Sequence, residues 1–173
     1  MKKLINLLKL TKKKEIKTEA KNSKVKKPQI IEIIDNEIAR HRCMFESCWA
    51  CIKKCYKEKY SPLIILFPFL RSKKSEEVLE FQIKSYNKRQ KYHRFAAAEF
   101  EVLKSQIDHE IQRLVKQKKS KQAIKARVLK LIEDRLKNIS HFVNSTRDSE
   151  EHEYWSQLHN DYRNLKLTIE RKC

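Results

Sequence analysis

Ser75–Leu114 reads SEEVLEFQIK SYNKRQKYHR FAAAEFEVLK SQIDHEIQRL, and this stretch decides the fold. Within it Leu79, Ile83, Tyr86, Gln90, His93, Ala97, Phe100, Lys104, Ile107, Ile111 and Leu114 follow one another at alternating steps of four and three. Side chains so spaced stay on one face of an α-helix and form a heptad seam for a partner helix. Gln90, His93 and Lys104 interrupt the seam with polar groups. The expectation is a long amphipathic helix packed against at least one other.

Two further stripes follow downstream. No proline separates the first helix from the next, so a single helix running on to Thr146 is one reading. The other is a break near Lys118-Lys119-Ser120 with Ser120 as N-cap. Leu129, Ile132, Leu136, Ile139 and Val143 then form a stripe, widened by Ile124, Val128, Leu131 and Phe142. Asn144-Ser145-Thr146-Arg147-Asp148 reads as a turn, and Asp148 with Glu151 resembles a capping box built on an aspartate. Trp155, Leu158, Tyr162, Leu165 and Ile169 mark a last helix.

Upstream, Ile30, Ile34, Ile38, Phe45, Cys48, Ile52 and Cys55 recur mostly at three and four, flanked by Ile31, Trp49 and Tyr56. This predicts an amphipathic helix from Gln29 to about Lys59, ending before Ser61-Pro62 because a residue preceding proline is pushed out of the α region. Leu63 to Leu70 is the most apolar run in the chain. It is too short to span a bilayer as a helix, and Pro62 and Pro68 argue against a central strand. It reads either as a buried connector or as an exposed hydrophobic loop. Residues 1–27 are lysine-dense and nearly free of apolar residues after Leu10, the composition of a disordered arm.

Composition agrees with the helical reading. The chain has 173 residues and no glycine, where about 7% is usual. Hairpin turns that lean on glycine are therefore disfavoured. The expected fold is all-α: an antiparallel bundle of three to four amphipathic helices with a basic N-terminal arm. Its segments are the arm at 1–27, a cysteine-bearing helix at 28–60, an apolar connector at 61–74 and a helical hairpin or bundle at 75–173.

The formal net charge of +19 makes a polyanionic partner attractive. Two helical patches concentrate it. One holds Lys84, Lys88, Arg89, Lys91 and Arg94, with Tyr86 and Tyr92 between them. The other holds Lys116, Lys118, Lys119, Lys121, Lys125, Arg127 and Lys130. Interleaved aromatics suit stacking on single-stranded nucleic acid, although Tyr86 falls on the seam and reads as core.

Catalytic motifs that need glycine are excluded: the phosphate-binding loop, the dinucleotide fingerprint and the nucleophile elbow. His109-Glu110 lacks the second histidine of a zinc protease, since Arg113 stands in its place. Cys43, Cys48, Cys51 and Cys55 have spacing reminiscent of metal ligation. On a continuous helix, however, Cys48 and Cys55 stand about 10 Å apart along the axis, too far to share one zinc. Cys48, Cys51, Cys55 and His41 are candidate zinc ligands only if other segments complete the set. The competing reading, small apolar core residues, is the stronger. No cofactor is otherwise implied.

The cysteine pattern points to a reducing compartment, with the cytoplasm first and a lysine-based organellar transit peptide as the alternative. Glu150-Glu151-His152-Glu153 resembles the glutamate-rich tails of bacterial type IV secretion substrates, which implies translocation as an effector. It is also an ordinary acidic helix start. The functional expectation is a non-catalytic interaction or adaptor module. It would dock a partner protein, a second copy through its helix seams, or an anionic membrane surface, with Leu63, Ile64, Phe67 and Phe69 as the apolar docking residues. Nucleic-acid binding through the basic patches is the alternative.

Overall fold

A computed structural model describes residues 28–68 and 72–173, and every regular element of any length among them is helical. In chain order these are α1 (Gln29–Lys59), α2 (Pro62–Leu66), α3 (Lys73–Lys116), α4 (Lys121–Ser145) and α5 (Ser149–Lys172). The expected break after α3 is present, so the single helix to Thr146 is excluded. The basic arm and Phe69 lie outside the described residues.

Short polar side chains open the helices. Ser120 Oγ accepts from the Ala123 N–H at 3.2 Å, and Asp148 accepts from the Glu150 and Glu151 N–H groups at 2.7 and 3.0 Å. Ser72 caps α3 and Ser61 caps α2 in the same way. Each satisfies a backbone donor that the helix itself leaves without a partner.

The end of α3 shows what a glycine-free chain must do to stop a helix. The Lys119 N–H reaches back to the Leu114 carbonyl (3.1 Å) and the Lys118 N–H to that of Val115 (2.9 Å). This is a Schellman closure, whose left-handed residue is usually glycine. Here Lys118 takes that position at φ 55°. A Cβ in this region costs about 1–2 kcal/mol. Lys118→Gly is therefore expected to raise stability by about 0.5–1 kcal/mol, read as a higher urea midpoint at unchanged slope. A lower midpoint would show that the turn is not strained.

The helices form an up-down-up-down square. α1 runs antiparallel to α3, pinned by the ion pairs Asp35–Lys104 (2.7 Å) and Lys59–Glu80 (2.6 Å). α4 lies against α3 through Glu110–Arg127 (2.8 Å) and against α5 through Glu133–Lys166 (2.7 Å). α5 closes the square on α1 through Arg40–Asp161 (2.9 Å). Ile31, Ile34, Phe100, Leu103, Ile107, Ile132, Leu158 and Tyr162 fill the centre. Phe100 and Tyr162 stack across the diagonal with ring centroids 4.9 Å apart.

The helices differ greatly in length. α3 has 44 residues and α4 has 25, so at 1.5 Å per residue α3 outruns α4 by about 28 Å. The surplus is all at one end, where Lys88 pairs with Glu153 in the first turns of α5. Beyond that level, among the described residues, only α1 and α3 continue, as a two-helix hairpin with α2 at its tip. The buried stripe of α3 changes accordingly. Facing α1 alone, it is the narrow row Leu79 and Ile83, with Cys55 opposite and Tyr86 partly covered. Inside the square it faces several helices, and Tyr92, Ala96 and Leu103 join the predicted seam. A broad apolar arc is what burial against more than one neighbour requires.

Candidate docking surfaces

The hairpin tip answers the question left open for residues 63–70, at least over the part described. Ser61 and Pro62 start α2 and Phe67 ends it, and among the described residues Leu63, Ile65 and Leu66 stay largely uncovered. Leu63, Ile65 and Leu66 are 65%, 62% and 71% exposed, Phe67 is 44% exposed and Ile64 is partly covered. The run is an exposed hydrophobic tip. Apolar side chains continue down the hairpin at Tyr60, Tyr56, Trp49 and Met44 on α1, and at Val78 and Phe81 on α3. Elsewhere among the described residues the exposed large apolar groups are scattered: Val102, Val115, Phe142 and Leu167.

The charged groups near the tip are mostly cationic on α1, while exposed Glu76 and Glu77 open α3. Lys53, Lys54, Lys57 and Lys73 are exposed, and Lys59 pairs with Glu80. The Lys53 ammonium sits 5.0 Å from the centre of the Trp49 ring, a cation–π arrangement.

Cys48, Cys51 and Cys55 line the hairpin interior. Cys48 and Cys55 are buried, Cys51 is partly covered and Cys43 is exposed. Burial raises the Cys48 thiol above its usual range, the opposite of an activated thiolate. The Cys55 Sγ points at Gln82 Oε1, 3.8 Å away. His41 is on another level of α1, its ring nitrogens engaged with His93 and Asp161. Among the described residues no three His, Cys, Asp or Glu side chains converge as a metal-binding set. Cys48, Cys51, Cys55 and His41, weighed as zinc ligands, thus do not converge as a set among the described residues, and Cys48 and Cys55 are buried as small groups.

His41 belongs to a buried polar network that the sequence did not announce. Its Nδ1 lies 3.0 Å from Nδ1 of His93, and its Nε2 lies 3.3 Å from Asp161 Oδ2. The Tyr92 hydroxyl donates to the same Asp161 oxygen, and Arg40 reaches the other at 2.9 Å. Arg40 Nη2 also lies 3.1 Å from the His41 Nε2, and whichever His41 nitrogen carries the proton, one N–H stands between the two Nδ1 atoms. Burial would raise the Asp161 carboxyl, but hydrogen bonds from His41 and Tyr92 and the Arg40 charge outweigh it and hold it low. Burial, His41 and Arg40 push His93 down to about 4.

The basic patches are only partly free. Lys88 is paired with Glu153, Lys125 donates to the Glu170 carbonyl and Arg127 binds Glu110. Glu110 also accepts from Arg113, and these two guanidinium groups hold its carboxyl near 2. Tyr92 turns inward to Asp161 and Tyr86 packs against the hairpin interior, so neither aromatic offers an outward stacking face. Tyr86 thus packs on the seam as its spacing suggested, and the stacking role weighed for Tyr92 is corrected on this ground. Lys84, Arg89, Lys91 and Arg94 remain exposed on α3. Lys116, Lys118, Lys119 and Lys121 crowd the exposed α3–α4 turn at the end of the bundle opposite the tip. The Glu150-Glu151-His152-Glu153 cluster is the ordered start of α5, with Glu150 accepting from Tyr154 and Glu153 from Lys88.

No helix among the described residues is long and apolar enough to cross a membrane. No protein-family model matches the chain, and neither the curated proteins nor the solved structures contain a match to it.

Proposed function

We propose that this chain is a non-catalytic docking module, in which the four-helix square is a rigid base and the α1–α3 hairpin carries the binding surface. One observation carries the reading: the exposed large apolar side chains gather on the hairpin and its tip instead of spreading over the surface. Exposed apolar residues scattered singly are ordinary, whereas a contiguous set marks a place where something else is meant to cover them. The convergent polar groups support the same reading. His41, His93, Tyr92, Asp161 and Arg40 satisfy one another inside the bundle.

The test is a fluorescent dye that brightens on apolar surface, with the triple variant Leu63→Ser, Leu66→Ser, Phe67→Ser. The wild type is expected to enhance emission several-fold and the variant to lose most of that, at equal helicity and melting temperature. Equal dye signals from the two proteins would remove the hairpin tip from the account.

A second reading, nucleic-acid binding, is favoured by the four lysines around the α3–α4 turn. It predicts affinity that falls linearly with the logarithm of salt and drops when these lysines become glutamine. Millimolar or weaker affinity at near-physiological salt sinks it.

A further inference from the structure

We infer that the occupant of the hairpin tip is an anionic lipid surface, into which α2 and Phe67 insert while the flanking lysines hold the headgroups. This rests on the docking reading above and names the partner.

The first argument is geometric. Residues 63 to 66 all lie on α2, and successive side chains on a helix turn by about 100°. Leu63, Ile64, Ile65 and Leu66 therefore point to four different sides, and no polar residue interrupts them. A groove on a protein partner covers one face of a helix and leaves the other in water. Ile64 is partly covered within the chain, and the three exposed sides at Leu63, Ile65 and Leu66 are covered together by an environment that wraps the tip, which the hydrocarbon boundary of a bilayer provides.

The second argument is charge. Between residues 53 and 73 the described charged side chains are Lys53, Lys54, Lys57, Lys59 and Lys73, against Glu58 alone. Across the hairpin Glu76 and Glu77 are exposed in the opening turns of α3 and Glu80 pairs with Lys59, so the lysine excess belongs to the α1 side of the tip. A collar of lysines behind an apolar tip matches an interface with negative headgroups outside and acyl chains within. Lysine stems also lie comfortably along apolar surface with their ammonium groups in water. Tyr60 and Tyr56, exposed just behind the tip with parallel rings 6.1 Å apart, suit the headgroup level, where an aromatic body is covered and its hydroxyl stays wet. The third argument is length. Because α2 has 5 residues, it can wedge into one leaflet and cannot span the bilayer.

The experiment is co-sedimentation of the full chain with vesicles of phosphatidylcholine alone and with vesicles containing phosphatidylglycerol. The triple serine tip variant and the charge variant Lys53→Glu/Lys57→Glu are run alongside. All substituted residues are exposed, so the fold is expected to survive, checked by unchanged helicity. The wild type is expected to bind the anionic vesicles at least tenfold more tightly than the neutral ones. Each variant is expected to lose at least tenfold on the anionic vesicles.

Wild-type-like binding by the tip variant overturns the inference, because attraction by charge elsewhere in the chain then suffices. Absence of binding to either vesicle also overturns it. In that case a dye signal that depends on the tip leaves the docking reading standing, and its absence sinks both. Concentration-dependent dimerisation abolished by the tip variant, without vesicle binding, makes the occupant a second copy and likewise overturns the lipid assignment.

Discussion

Phe100→Ala is expected to lower the stability of the fold by about 3–5 kcal/mol, the range for removing a large aromatic from a packed core. Phe100 is fully buried in α3 at the centre of the square, stacked on Tyr162 of α5 and beside the His41 ring of α1 at 5.5 Å. Its loss withdraws apolar burial and leaves a void that three helices cannot close together. Against a total stability of about 5–15 kcal/mol typical of folded domains, this is a large fraction. The melting temperature should fall by roughly 10 °C, given about 2–4 °C per kcal/mol for chains of this size. Phe81 supplies the comparison. It is 74% exposed on the hairpin, and Phe81→Ala is expected to change stability by no more than about 0.5 kcal/mol. Equal losses from the two substitutions, read from urea midpoints, would mean that the hairpin is packed as tightly as the square.

Acid is expected to have the second large effect, acting through His93. Its ring is almost covered, and it faces His41 and Arg40 of α1, Arg89 of its own helix and Asp161 of α5. In the fold His93 protonates only near pH 4, whereas in the unfolded chain a histidine takes its proton near 6.5. Between these values the unfolded state binds more protons, so stability rises with pH. The contribution is complete above about pH 6.5 and is lost as pH falls toward 4. Its size is on the order of 3 kcal/mol from the depression of the histidine.

The largest cause is burial of the His93 ring, and the Nδ1–Nδ1 contact of 3.0 Å with His41 adds to it. That contact holds one proton between the rings, and a second sets two N–H groups against each other. Asp161 adds a separate loss at lower pH. Its folded-state pKa is depressed, so its contribution is present above the unfolded value and disappears as the carboxylate is protonated. Urea midpoints measured from about pH 7 down to pH 4 should fall steeply in the wild type. In His93→Gln the part of that fall between pH 6.5 and 4 should be largely absent. A variant with the wild-type slope would show that the histidine pair is not the group responsible.

The helices themselves were readable from spacing because the information is local. The alternation from Leu79 to Leu114, the stop before Ser61-Pro62 and the caps at Ser120 and Asp148 each depend on residues within a turn or two of one another. Helical periodicity and capping act at that range. The absence of glycine was equally plain, and it explains why Lys118 must adopt the left-handed conformation that ends α3.

The candidate site was legible only in part. The apolar run after Pro62 stood out, but whether it is covered depends on where α4 and α5 stop relative to α1 and α3. That is a matter of register between helices far apart in sequence. Tyr92 shows the same limit. Counted by neighbours it sits among lysines and arginines, yet its hydroxyl meets Asp161, on a helix that begins more than fifty residues later. Asp161 carried no signal of its own beside the apolar stripe of α5, and Arg40 looked like any exposed cation. The separation of Cys48 and Cys55 along one helix was legible from spacing alone, because helical rise acts locally.

Local sequence thus set the helices, their ends and their apolar faces, through interactions spanning three or four residues. Tertiary packing alone decided which faces found partners. The square buries the Phe100–Tyr162 stack and the His41–His93–Asp161 network, where each group's environment is set by three helices at once. The same packing leaves α1 and α3 running past their shorter neighbours, so among the described residues Leu63, Ile65 and Leu66 meet no helix that covers them.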